Sequence, residues 1–204
     1  MSSSAQFDAV LFDLGGVWLQ DGDFSERSRW AEQRGLTSDE LFATYLTAVG
    51  PGWEGGRTEE MIHRDLLDRL GVDESELGEL LRVLHAHETL DPTITEFVTE
   101  VGGAVKIGVI TNAGPSARRE LWAKFPFDEL TDLFVVSAEE GMSKPDPRIY
   151  LSACDRLGVE PRRAVLVDDK HRNVVGAQAV GMHAIEFTSP TDTVSQLRAL
   201  LEIR

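Results

Sequence analysis

Short, β-branched apolar runs recur along the chain, and each stops at or just before a polar residue. They are "AVLF" at residues 9–12, "VKIGVI" at 105–110, "LFVV" at 133–136 and "AVLVD" at 164–168, with a weaker "HAIEF" at 183–187. Near-continuous apolar runs predict strands covered on both faces, as in a parallel sheet. Helical periodicity fills residues 115–125, 147–158 and 173–181, and a closing helix is predicted over 192–203. This alternation predicts an α/β fold built on a Rossmann-like, doubly wound parallel sheet.

One interval departs from the alternation. Between residues 22 and 90 every periodic segment is helical, at 24–35, 38–49, 58–71 and 74–88. Ser38, Asp39 and Thr58 read as helix starts, and Gly35 and Gly71 as helix ends. A small helical cap is therefore expected over residues 18–90, inserted into a core made of 1–17 and 91–204. Pro92 disfavours helical backbone at Asp91, so residues 91–94 read as the return hinge.

Composition adds boundary conditions. The 204 residues are 42% hydrophobic and 27% charged, enough for a core of normal size in one domain with an insertion or in two small ones. No apolar run approaches the roughly 18–20 residues of a membrane span. The start, "MSSSAQFDAV", lacks the basic and apolar regions of a secretory signal. The single cysteine, Cys154, excludes an internal disulfide, and the expected location is the cytoplasm. A net charge of −15 repels nucleic acid and anionic membranes at long range, so neither is an expected partner. An acidic chain that binds an anion needs a local positive device, such as a metal ion, a lysine or a helix N-terminus.

In an open α/β sheet, ligands bind beyond the carboxyl ends of the strands. Asp13 ends the first run, Thr111 and Asn112 the second, and Asp168 with Asp169 the fourth; Lys144 follows the third in "EEGMSKPDPRIY". Gathered at one sheet edge, three carboxylates repel one another unless a cation lies between them, and oxygen donors suit Mg²⁺. Thr111 and Asn112 can hydrogen-bond phosphoryl oxygens, and Lys144 can neutralise charge that develops in transfer. Asp13 can then attack phosphorus to form an aspartyl phosphate. Gly15 and Gly16 let the backbone approach phosphate and metal closely.

The order Asp13, Thr111, Lys144, Asp168-Asp169 resembles the haloacid dehalogenase-like hydrolase superfamily, and the helical insertion falls where that family carries a cap. "FDLGGV", "ITNAG", "MSKPDPRIY" and "VLVDDKHRNVVGAQAVGM" each resemble a family motif, over nearly the whole chain. The resemblance implies that Asp13 is the nucleophile and that Thr111 and Lys144 bind the transferring phosphoryl group. It implies Mg²⁺ held by Asp13, the Gly15 carbonyl and Asp169, with Asp168 as a further ligand or an orienting group. The implied activity is Mg²⁺-dependent hydrolysis of a small phosphorylated metabolite.

The first turn departs from the family pattern. Most family phosphatases read Asp-x-Asp, and the second aspartate protonates the leaving group and later activates water; here that position is Gly15. General acid–base help is typically worth about 10²–10⁴ in rate. Three outcomes follow. The leaving group needs little protonation (a sugar 1-phosphate, an acyl phosphate or an aryl phosphate), or Asp21, Asp23 or His171 supplies the acid. Otherwise the protein is a weakly active or non-catalytic phosphate-binding or regulatory member. Family members with a "DxGG" or "DxGN" turn resemble sugar-phosphate phosphatases and the phosphatase-like domain of soluble epoxide hydrolases.

Competing readings fit less well. A dehalogenase also uses an aspartate nucleophile but has no use for Mg²⁺, and the Asp168-Asp169 pair would repel a carboxylate substrate. A receiver domain places its acidic pair before the phosphoacceptor. No glycine-rich nucleotide loop is present. Gly16, Trp18 and Trp53 are candidate substrate contacts, with Glu54, Arg57 and His63 in the same cap patch as Trp53. Trp30, Trp122 and Cys154 read as packing residues. His85, His87 and Glu88 in "LHAHE" read as a solvated helix end, because helical residues two apart face different sides.

Overall fold

The computed structural model describes residues 7–20, 22–86 and 88–203, and places the first apolar run at the centre of a parallel sheet. Strand β1 (Ala9–Phe12) leads to the short β2 (Leu19–Gln20). Helices α1 (Ser25–Glu32), α2 (Ser38–Val49), α3 (Glu59–Leu70) and α4 (Leu77–Leu84) follow, then β3 (Thr89–Leu90). The chain continues through α5 (Pro92–Val101), β4 (Lys106–Thr111), α6 (Ala117–Lys124), α7 (Phe127–Leu130) and β5 (Leu133–Val136). It closes with α8 (Ser137–Glu140), α9 (Pro147–Leu157), β6 (Ala164–Asp168), α10 (His171–Ala179), β7 (His183–Glu186) and α11 (Pro190–Leu201).

The five-stranded sheet has the order β5-β4-β1-β6-β7, and every pairing is parallel. Successive strand residues face opposite layers. Val10, Phe12, Val109, Val165 and Val167 pack with Ile94 and Phe97 of α5 and Leu197 of α11. Ala9, Leu11, Ile110 and Leu166 pack with Ile149, Tyr150 and Cys154 of α9 on the other side. Coverage of both faces explains why the strands read as continuous apolar runs. Burial pushes the Cys154 thiol up to about 11, consistent with its packing role.

Helices α1 to α4 bury their own core of Trp30, Leu41, Leu66, Leu80 and Leu84. Thr37 and Glu40 form a reciprocal capping box at the start of α2, and left-handed Gly71 ends α3. Trp30 is buried as expected, whereas Trp122 is 44% exposed with its ring edge on Phe134. Among the described residues, no helix is long and apolar enough to cross a membrane.

The structure differs from the sequence reading at three places. Residues 92–94 belong to α5: Asp91, extended as expected before proline, accepts from the Ile94 N–H at 3.0 Å and caps α5, with Pro92 in its first turn. Proline suits that position because its missing N–H would lack a helical partner anyway. The helix expected over 74–88 is a 3-10 turn at Glu74–Glu76 followed by α4, which stops at Leu84. An antiparallel ribbon, β2 against β3, pairs Leu19 with Leu90 and Gln20 with Thr89, tying together the entry to the bundle and its exit.

Candidate active site

Strands β4, β1 and β6 are adjacent, so their carboxyl ends bring Thr111, Asp13 and Asp168 to one edge. Asp13 extends the pairing by one residue, its N–H donating to the Val167 carbonyl at 2.8 Å. Its Oδ1 accepts from the Leu14 N–H at 2.6 Å and lies 2.9 Å from Lys144 Nζ. Both contacts engage Oδ1.

Lys144 is 2% exposed, and its ammonium also reaches Asp168 Oδ2 at 2.7 Å. Asp168 is fully buried and saturated: Oδ1 accepts from the Lys170 N–H and from Asn173 Nδ2, each at 2.9 Å. Burial pushes the Asp13 carboxyl up to about 6; the Lys144 charge opposes this rise and the Asp168 charge adds to it.

Asn112 holds the loop that delivers Lys144. Its Oδ1 accepts from the Lys144 N–H at 2.8 Å and its Nδ2 donates to the Lys144 carbonyl at 2.9 Å. The amide expected to bind phosphate fastens the lysine backbone while also lining the cavity. Thr111 is buried at the strand end and lines the adjoining cavity.

Asp169 shows the opposite pattern to Asp168. Its Oδ2 meets Lys170 Nζ at 2.7 Å, while Oδ1 is buried with no hydrogen-bond partner among the described residues. A buried carboxylate oxygen without a partner is costly. Oxygens of Asp13, Asp168 and Asp169 lie within 4.8 Å of one another. Hard oxygen donors around an unsatisfied carboxylate fit a divalent cation such as Mg²⁺. Gly16 permits this crowding: its φ is +79°, and an added Cβ would lie 3.2 Å from Asp169 Oδ2.

A cavity of about 200 Å³ lies between the bundle and the sheet edge. It reaches Leu14 and Gly15, next to Asp13, and Thr111 and Asn112. Trp53 and His63 line it, with Phe42, Tyr45 and Leu46, which no sequence motif marks. Glu54 accepts from Ser143 Oγ at 2.9 Å, linking the Trp53 turn to the loop before Lys144. Arg57 braces the bundle, donating to the Ala48 carbonyl and Asp65, each at 3.1 Å.

Several candidate residues stand apart from the cavity. Trp18 is fully buried and outside the lining: its Nε1 donates to Thr95 Oγ1 at 3.0 Å, and its ring meets Phe12 and Phe127. Its position in the sheet's core also places it outside the bundle. Asp23 accepts from the Ser25 N–H and Oγ at 2.8 and 2.9 Å, and is outside the cavity lining. Exposed His171 points its Nδ1 at Glu186, 2.8 Å away, and is likewise absent from the lining. Asp21 and His87 lie outside the described residues. His85 and Glu88 are not a solvated helix end: α4 has already stopped, and the pair lines the cavity at 2.9 Å from each other.

A family model for haloacid dehalogenase-like hydrolases matches residues 7–181. The chain is 26% identical over 212 residues to acyl-CoA dehydrogenase family member 10 of Mus musculus, a match covering 98% of this chain. It spans only 20% of that longer relative. It is 27% identical over 197 residues to the sesquiterpene phosphatase astK of Aspergillus oryzae, covering 96% of this chain and 97% of that one. A HAD family enzyme of Bacteroides thetaiotaomicron, solved as a magnesium complex, superposes with a TM-score of 0.77 at 15% identity. That superposition covers 95% of this chain and 99% of the neighbour and shows a shared fold. With a family match across most of its length and the corresponding sheet beneath it, the chain belongs to the haloacid dehalogenase-like hydrolases.

Proposed function

We propose that this chain is a Mg²⁺-dependent phosphatase that hydrolyses a small phosphorylated metabolite through an aspartyl phosphate on Asp13. The observation that carries this reading is the buried Asp13–Lys144–Asp168 ion-pair chain beside the unpartnered Asp169 oxygen. The name of the sesquiterpene phosphatase relative supports the reaction class, and the magnesium complex of the Bacteroides neighbour supports the metal.

Asp13, the Gly15 carbonyl and Asp169 would hold Mg²⁺, which supplies charge neutralisation of the phosphoryl oxygens when bound. Asp168 is an orienting group, because Lys144, the Lys170 N–H and Asn173 already engage its oxygens. Asp13 Oδ2 attacks phosphorus, and the bond from phosphorus to the alcohol oxygen breaks. The alcohol takes its proton from solvent, since position 15 offers no acid. Water then attacks the aspartyl phosphate, the bond from phosphorus to Oδ2 breaks, and Asp13 returns as a carboxylate with inorganic phosphate released. Lys144 and the Thr111 hydroxyl stabilise the oxygens that gain charge; removing one such donor typically costs about 10²–10³ in kcat. The bundle acts as a cap over the phosphate end, and solvent still reaches the leaving alcohol.

The test is phosphate release from an activated aryl phosphate. Turnover is expected with Mg²⁺ and none with EDTA or in Asp13→Asn. The vacant acid position favours a second reading, a phosphate-binding or regulatory protein. That reading predicts ligand binding by wild type and Asp13→Asn alike, with turnover in neither.

A further inference from the structure

The cavity walls differ sharply from its phosphate end. Phe42, Leu46, Trp53, Ile62, Leu81 and Leu121 present apolar surface to it from both the bundle and the core. Leu46 is 41% exposed although large and apolar, so part of its surface is bare along this wall. Two of the carboxylates on the wall, Glu59 and Glu88, are already paired. Glu59 receives Arg119 at 2.8 Å; Glu88 receives Lys124 at 2.8 Å and contacts His85 at 2.9 Å.

A sugar or amino-acid body is selected by free donors and acceptors that converge on its hydroxyl or ammonium groups. With Glu59 and Glu88 occupied in pairs, apolar side chains make up the larger part of this wall. An apolar body instead gains from covering apolar wall. We infer that the substrate is a phosphate monoester of a bulky apolar alcohol, its hydrocarbon or aryl body seated between the bundle and α6. The inference rests on the phosphatase reading for its chemistry and on the cavity wall for its specificity.

A series of 4-alkylphenyl phosphates, from phenyl to hexylphenyl, tests it. The phenol's acidity is nearly constant across the series, so the chemical step is held fixed while apolar size grows. KM should fall by about two- to fourfold per added methylene until the cavity is filled, and every member should outcompete sugar and amino-acid phosphates. A flat KM with turnover intact overturns the inference and leaves the phosphatase reading standing. If no member turns over, the phosphatase reading falls, and the same series is titrated against the fluorescence of Trp53 in the wall. Binding that tightens with chain length then supports an apolar ligand; no length dependence overturns it. Leu46→Gln should raise KM for hexylphenyl phosphate several-fold, and its partial exposure spares the core; an unchanged KM counts against this wall.

Discussion

Lys144 Nζ lies 2.7 Å from Asp168 Oδ2, with both side chains removed from solvent. The same ammonium reaches Asp13, so the Asp13 carboxylate is positioned by a lysine that is itself positioned by Asp168 and Asn112. Breaking a buried pair by removing one partner typically costs about 3–5 kcal/mol. Asp168→Ala should lower stability by about that amount, because Lys144, Asn173 and the Lys170 N–H all lose an acceptor. Urea unfolding with an unchanged m-value measures it; a loss below about 1 kcal/mol would show that the ion-pair chain is slack.

Asp169 is expected to behave differently. Its Oδ1 has no hydrogen-bond partner among the described residues, a place that a bound cation would fill. Mg²⁺ at a hundred times its Kd should therefore stabilise wild type by about 2.7 kcal/mol. Asp169→Asn should lose most of that shift while keeping the metal-free stability near wild type. Thermal unfolding with and without Mg²⁺ reads both, and an equal Mg²⁺ shift in the variant would remove Asp169 from the ligand set.

The Asp13 carboxyl sits at about 6 when folded, above its ordinary value of 3.8, chiefly because it is buried. A raised carboxyl binds its proton more tightly in the folded state. Its stabilising contribution is complete below the unfolded value and is lost as pH rises through about 6. Metal-free Asp13→Asn should thus be more stable than wild type at pH 8, by on the order of 2 kcal/mol, and closer to it at pH 4. Denaturation midpoints at the two pH values decide the matter; a gain that does not depend on pH would contradict this origin.

Position 15 has room for the acid that the family pattern places there. An added Cβ at Gly15 meets no atom within 4 Å, and its φ lies outside the left-handed region. Gly15→Asp should raise kcat on an alkyl phosphate by up to about 10², with a much smaller gain on nitrophenyl phosphate. Equal effects on both substrates would indicate that leaving-group protonation is not what limits the native chain.

The strands and the gathering of polar residues at their ends were legible because burial on both faces writes each strand as an uninterrupted apolar run, and a polar residue sits where the run stops. What could not be read depended on partners far along the chain. Trp18 looked like a cap residue until its indole was found against Phe12, Phe127 and Thr95. Asn112 has the chemistry of a phosphate ligand, and only the packing of the Lys144 loop shows its amide engaged. Two-residue strands such as β2 and β3 are too short for any alternation to register. His85 and Glu88 became a cavity pair only because α4 ends early, and helix ends are the least determined part of a periodic pattern.

The placement of β1 between β4 and β6 has a kinetic consequence. The pairing of β1 with β6 starts beside the Arg163–Asp8 contact, whose partners are 155 residues apart, with the whole bundle and half the core looped out between them. Such distant closure is slow compared with local helix formation. A nascent or refolding chain would therefore display its helices well before the strand ends that carry Asp13, Thr111 and Asp168 come together, and that gathering should emerge among the last native features.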